Sequence, residues 1–163
     1  MDILHEVPKS WRDLQDKVGY ILASCGYSVE ISKKVGLVRG KKEIDVYAES
    51  SDISIACECK YWNSRVPQDI VSSFRTVIGD MGVNKGIIVA KEGFQKGAYN
   101  VSEKTNVSLY TWGEFLECYR EIYIKSMIKR YSAIRSTLYR LASIKSEYQK
   151  RYDLLDKNNR IKV

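Results

Sequence analysis

The chain has 163 residues, 44% of them apolar, which is enough for one buried core of moderate size plus an appendage. It contains no run near the roughly 18 uninterrupted apolar residues of a membrane span, and Met1 to Ser10 is charged, so a cytoplasmic protein without a membrane partner is expected. Four irregularly spaced cysteines and a single histidine exclude a secreted disulfide framework, and the formal charge of +7 points to a polyanionic partner.

That charge is unevenly spread. Met1 to Gly113 carries 15 Lys+Arg against 14 Asp+Glu, whereas Glu114 to Val163 carries 12 against 6. All ten glycines and both prolines lie at or before Gly113, so helix breakers end where the excess charge begins. The expected division is a folded domain over 1–113 and a basic helical tail over 114–163.

In chain order, Ser10 is placed to cap a helix in which Trp11, Leu14, Val18, Ile21 and Leu22 recur at helical spacing until Gly26. Three extended stretches follow, Tyr27 to Ser32, Glu43 to Glu49 and Ile53 to Trp62, separated by Gly36, Gly40 and the Ser50-Ser51-Asp52 turn. After Pro67, the residues Ile70, Val71, Phe74 and Ile78 make an apolar helical stripe ending near Gly79. Lys85 to Ala90, with its apolar run Gly86 to Ala90, reads as a strand covered on both faces, Phe94 to Lys104 as a helix, and Val107 to Trp112 as a last strand. Helix, three strands, helix, strand, helix, strand is the order of an α/β layer with a mixed central sheet flanked by helices and followed by a long C-terminal helical tail.

From Ile124, alternating steps of three and four give Ile124, Met127, Tyr131, Ile134, Leu138, Leu141, Lys145, Tyr148, Tyr152 and Leu155. This narrow seam predicts a coiled coil, either a homodimer or a helix packed on another protein, with DNA clasping as a second use of the same basic helix.

The chemistry concentrates in Glu43-Ile44-Asp45-Val46 and Cys57-Glu58-Cys59-Lys60. Strand alternation sets Glu58 and Lys60 on one face with Cys57 and Cys59 on the other, and a hairpin brings Asp45 beside Glu58, with Glu43 on the face of Asp45. Two carboxylates suit Mg2+, with Mn2+ as a substitute, and a lysine beside them can act on an attacking water or on a phosphorane. Cys57 and Cys59, lacking two further ligands, are expected in the core rather than on zinc, and His5 is expected at the surface. Lys33, Lys34, Arg39, Lys41 and Lys42, crowded before Asp45, and Arg65 beyond Trp62, are candidate phosphate contacts or simply solvated charges.

Asp45, a twelve-residue gap and Glu58-x-Lys60 resemble the D…(D/E)xK signature of the restriction-endonuclease-like superfamily. Gly26-Tyr27-Ser28-Val29-Glu30, Lys60-Tyr61-Trp62, Gly86 to Ala90 and Gly93-Phe94-x-x-x-Ala98 add a resemblance to the Mrr-like catalytic domain of type IV restriction enzymes, over Trp11 to Trp112. The resemblance implies a Mg2+-dependent endonuclease acting on DNA, with Asp45 and Glu58 on the metal, Lys60 on the water, and Glu43 or Gln15 assisting. One departure is visible: the family places a glutamate in the first helix where this chain has Gln15, which implies a weak or missing second metal. A junction-resolvase-like nuclease on the same fold, and a catalytically inactive DNA-binding or adaptor module, are the alternatives.

Overall fold

The structure, a computed structural model, describes residues 6–160 except 39, with side chains as far as 155. Arg39 and His5 therefore lie outside the described residues. The first helix, α1 (Trp11–Ser24), starts where Ser10 Oγ accepts the Asp13 N–H at 3.1 Å, and it buries Leu14, Val18, Ile21 and Leu22. Gly26, at φ +101°, makes the left-handed turn into a hairpin of β1 (Ser28–Leu37) and β2 (Gly40–Glu49). After β3 (Ser54–Lys60) come α2 (Gln68–Met81), β4 (Lys85–Ala90), α3 (Lys96–Ser102), β5 (Val107–Thr111) and α4 (Trp112–Arg160).

The five strands lie in the order β1-β2-β3-β4-β5. The pairs β1/β2 and β2/β3 are antiparallel, while β3/β4 and β4/β5 are parallel, so the sheet is mixed as expected. Each face carries its own core. Val46, Ala48, Ile55, Cys57, Cys59, Ile87 and Val89 pack against α1 and against Trp112, Phe115 and Tyr119 at the start of α4. Ala56, Ile88 and Ala90 face the other way, onto Val71, Phe74 and Ile78 of α2 and Ala98 of α3. The run Gly86 to Ala90 is buried throughout because β4 is the middle parallel strand with helices on both faces.

Gly86 also sets how closely α2 approaches. A Cβ there would stand 2.6 Å from Ile78 Cγ1 and 3.1 Å from Phe74 Cε1, inside a packed core. Gly86→Ala is expected to cost about 1–3 kcal/mol and to lower the thermal midpoint by roughly 2–4 °C per kcal/mol, which calorimetry would measure.

The expected first strand ended at Ser32, but β1 runs on to Leu37. The β1/β2 ladder continues to Leu37↔Gly40, whereas the β2/β3 ladder ends at Val46↔Cys57. Residues 33–37 and 40–44 thus form a two-stranded arm beyond the edge of β3. Where the arm leaves, the side chains change face: Val46 and Ala48 enter the α1 core, while Ile44 enters the α2 core with Val35 and Leu37 packed beside it. An uninterrupted strand would keep residues 44, 46 and 48 on one face. The break coincides with Ser32, at φ +54°, whose pairing with Asp45 is missing from an otherwise continuous register.

By internal contacts the chain divides between Ile124 and Lys125. From Lys125 to Arg160 the chain is helical, and Tyr131, Ile134, Leu138, Leu141, Tyr148, Tyr152 and Leu155 are all exposed. Among the described residues, no helix is long and apolar enough to cross a membrane.

Candidate active site

The regular pleat of β3, held between β2 and β4, sends Cys57 and Cys59 into the α1 core and leaves Glu58 and Lys60 on the face of Ala56. Both charged side chains are largely covered, with 12% of Glu58 and 17% of Lys60 exposed. Lys60 Nζ donates to Glu58 Oε1 at 2.6 Å. The two thiols lie in the α1 core, away from the face of Glu58 and Lys60, and burial pushes both well above the ordinary thiol range.

Asp45 arrives by a different device. Extending the β2/β3 register one step past Val46↔Cys57 sets it opposite Glu58, but the ladder has ended there. Instead the Cys59 N–H donates to Asp45 Oδ2 at 2.6 Å, so the carboxylate caps the edge of β3 in place of a backbone carbonyl. That bond fixes one oxygen of Asp45 beside the Glu58 position.

Burial raises the Asp45 pKa above the usual carboxylate value, and the Glu58 charge adds to this; the Cys59 N–H, Lys60 and Lys42 pull it back. Without metal, the stability contributed by the protonated form is complete below the unfolded pKa and is lost as pH rises through the folded one. A cation needs the ionised form, so Mn2+ affinity measured by calorimetry is expected to fall on acidification at a pH above the ordinary carboxylate range.

Gln15, only 2% exposed, lies behind Asp45 rather than in front of it. Its Nε2 donates to the Asp45 backbone carbonyl at 2.8 Å and to Ser32 Oγ at 3.1 Å, bridging the gap in the β1/β2 ladder. The side chain thus pins the backbone that carries a carboxylate. An amide can donate these bonds, whereas an ionised glutamate cannot.

Glu43 is not brought to the face of Glu58 and Lys60, where strand alternation had set it with Asp45. The face change at Asp45 turns Ile44 toward α2, and Lys42, two residues earlier, shares that side, leaving Glu43 on the opposite, exposed face. Lys42 Nζ stands 3.5 Å from Glu58 Oε2 and 5.6 Å from the Phe74 ring. Of the other basic candidates, Lys33 is engaged with Glu30 at 2.7 Å and sits over the Tyr47 ring, while Lys34, Lys41 and Arg65 are exposed. Lys91, which sequence reasoning passed over, follows β4; its N–H donates to the Lys60 carbonyl and its Nζ donates to Asn63 Oδ1 at 2.6 Å.

Glu58 Oε2 is shut off from solvent and accepts no hydrogen bond; the nearby Lys42 ammonium lies too far away or off line to donate one. A buried, unsatisfied carboxylate oxygen beside a second carboxylate is a hard-donor set, and it fits Mg2+, which binds through one or two protein acids and keeps several waters. No group of three or more His, Cys, Asp or Glu stands together as a fuller metal cage among the described residues.

The Mrr catalytic-domain family model, described as restriction endonuclease, matches residues 8–119. Among solved structures, a protein of unknown function, AF1548, superposes with TM-score 0.58 at 19% identity, covering 63% of this chain and 59% of its own. The DNA modification-dependent restriction endonuclease AspBHI gives TM-score 0.37 at 13% identity, covering 83% of this chain and 42% of its own. The chain therefore spans less than two thirds of either neighbour, and among curated proteins none matches it. With the family model covering more than half of the sequence and the mixed sheet bringing Asp45 to Glu58 and Lys60, this chain belongs to the Mrr-type restriction endonuclease family.

Proposed function

We propose that the protein is a Mg2+-dependent DNA endonuclease of restriction type, with Asp45 and Glu58 as metal ligands and Lys60 as the group that handles the attacking water. The unsatisfied Glu58 Oε2 carries this reading. Bound there, Mg2+ or Mn2+ would supply Lewis-acid activation of water and neutralise charge on the phosphate. Asp45 presents its carboxylate from a position fixed by the Cys59 N–H and by Gln15 behind it. Lys60, on the same face, orients the water and meets the charge that develops as water attacks phosphorus and a P–O bond breaks. Exposed Lys34, Lys41 and Arg65 suit contacts to the DNA backbone around the cut.

In this reading the catalytic module, expected over 1–113, takes in the first turns of α4 as far as Ile124, and the basic helix from Lys125 brings two copies together in the cytoplasm, so that each cuts one strand. The exposed seam from Met127 to Leu155 supports pairing, because a stripe this long and apolar is stable in water only when covered. Sedimentation equilibrium at micromolar concentration is expected to give a dimer; a monomer would remove the pairing.

The test of function offers the purified chain, with Mg2+, a supercoiled plasmid in methylated and unmethylated form and, separately, a four-way junction. Nicked or linear plasmid supports the restriction reading. Cleavage of the junction alone would transfer the chemistry to a resolvase, and cleavage of neither substrate would favour a DNA-binding module without catalysis.

A further inference from the structure

Resting on that reading, we propose that Lys42 is a second catalytic cation, which balances Glu58 in the metal-free protein and neutralises the scissile phosphate when DNA is bound. Three observations lead here. The first is position. Lys60 holds Glu58 Oε1 in a hydrogen bond, while Lys42 approaches Oε2 at 3.5 Å without making one. That is a through-space pairing, which an ion with better access to the oxygen displaces, freeing the ammonium on its flexible stem.

The second is the distortion that delivers it. With unbroken alternation, Lys42 would share a face with Val46 and Ala48 on the α1 side, away from Glu58. The left-handed Ser32 and the missing Ser32/Asp45 pairing turn the arm so that Lys42 joins Ile44 on the α2 side, with its Nζ over Phe74. Such a backbone conformation at a non-glycine residue is unfavourable and persists only when its surroundings hold it, as the buried Gln15 amide does here.

The third is charge. Asp45 and Glu58 against Lys42 and Lys60 make a neutral set, so a single divalent ion gives two positive charges, matching the two negative charges of a phosphodiester at its pentavalent transition state. Gln15 offers no carboxylate for a second ion and its Nε2 is committed to backbone and Ser32. Lys42 supplies the second positive centre in place of another metal. Lys34 and Lys41, exposed on the same arm, lack this proximity to Glu58 and belong to steering.

The experiment compares full-length wild type, Lys42→Ala and Lys42→Arg in two measurements: calorimetric titration of Mn2+ into the DNA-free protein, and kcat and KM on duplex DNA. With the competing ammonium gone, Lys42→Ala is expected to bind Mn2+ several-fold more tightly, yet to lose about a hundredfold in kcat with KM changed little. Lys42→Arg, which keeps the charge, should recover most of the kcat, and intact Mn2+ binding by Lys42→Ala shows that its loss of kcat is not a folding defect. Wild-type kcat in Lys42→Ala, or a change confined to KM, overturns the proposal and makes Lys42 an ordinary backbone contact. Wild type that cuts no duplex overturns the restriction reading and this proposal together.

Discussion

Lys60→Ala is expected to lower kcat for DNA cleavage by about a thousandfold, the scale lost when a group that handles the nucleophile and the developing charge is removed. Its Nζ is 2.6 Å from Glu58 Oε1, on the face that also receives Asp45. The fold should survive, since Lys60 is the last residue of β3 and contributes only its side chain to the site. Metal binding should survive too, because removing an ammonium from Glu58 leaves more of its carboxylate for the cation. Steady-state kinetics, a melting curve and a Mn2+ titration of the same preparation separate these effects. Loss of cleavage with retained melting and metal affinity is the expected pattern, and wild-type kcat would remove Lys60 from the chemistry.

Phe115→Ala is expected to be the most destabilising single truncation at the start of α4, by about 3–5 kcal/mol. The ring is fully buried, stacks with Trp112 at 6.0 Å between centroids and lies 4.9 Å from the Tyr119 ring. All three belong to the core that α1 and the sheet share. Denaturant unfolding with and without the substitution measures the cost. A loss under about 1 kcal/mol would mean that the first turns of α4 contribute little to the domain.

That expectation marks where the sequence was legible and where it was not. The change of texture at Gly113 reports where glycine and proline stop, which is a statement about helix breakers; it says nothing about which helical turns are buried, so Phe115 and Tyr119 were read with the tail although they pack into the core. Lys85 to Ala90 was readable to its ends because β4 is covered on both faces and needs an unbroken apolar run. The division of Glu58 and Lys60 from Cys57 and Cys59 was readable because β3 is regular between its neighbours.

The same rule failed on β2. Alternation presumes a continuous pleat, and β2 turns where it leaves β3, so Lys42 rather than Glu43 meets Glu58. Nothing in the residues at Ser32 announces a left-handed conformation, since serine is not a residue that favours one. Gln15 was found as an oddity of the motif, but its role rests on two hydrogen bonds to segments 17 and 30 residues away, which no local pattern encodes.

If Asp45 and Glu58 hold the metal with which DNA is cut, cleavage depends both on the divalent ion and on the Glu58 carboxylate. The most direct test is the rate of plasmid cleavage by wild type and Glu58→Gln, side by side, in Mg2+ and in EDTA. The substitution keeps the shape of the side chain and removes the charged oxygen that lies buried without a hydrogen bond. Cutting by wild type is expected in Mg2+ and not in EDTA, with none by Glu58→Gln in either; Mg2+-dependent cutting by Glu58→Gln at the wild-type rate would mean that Glu58 does not hold the metal.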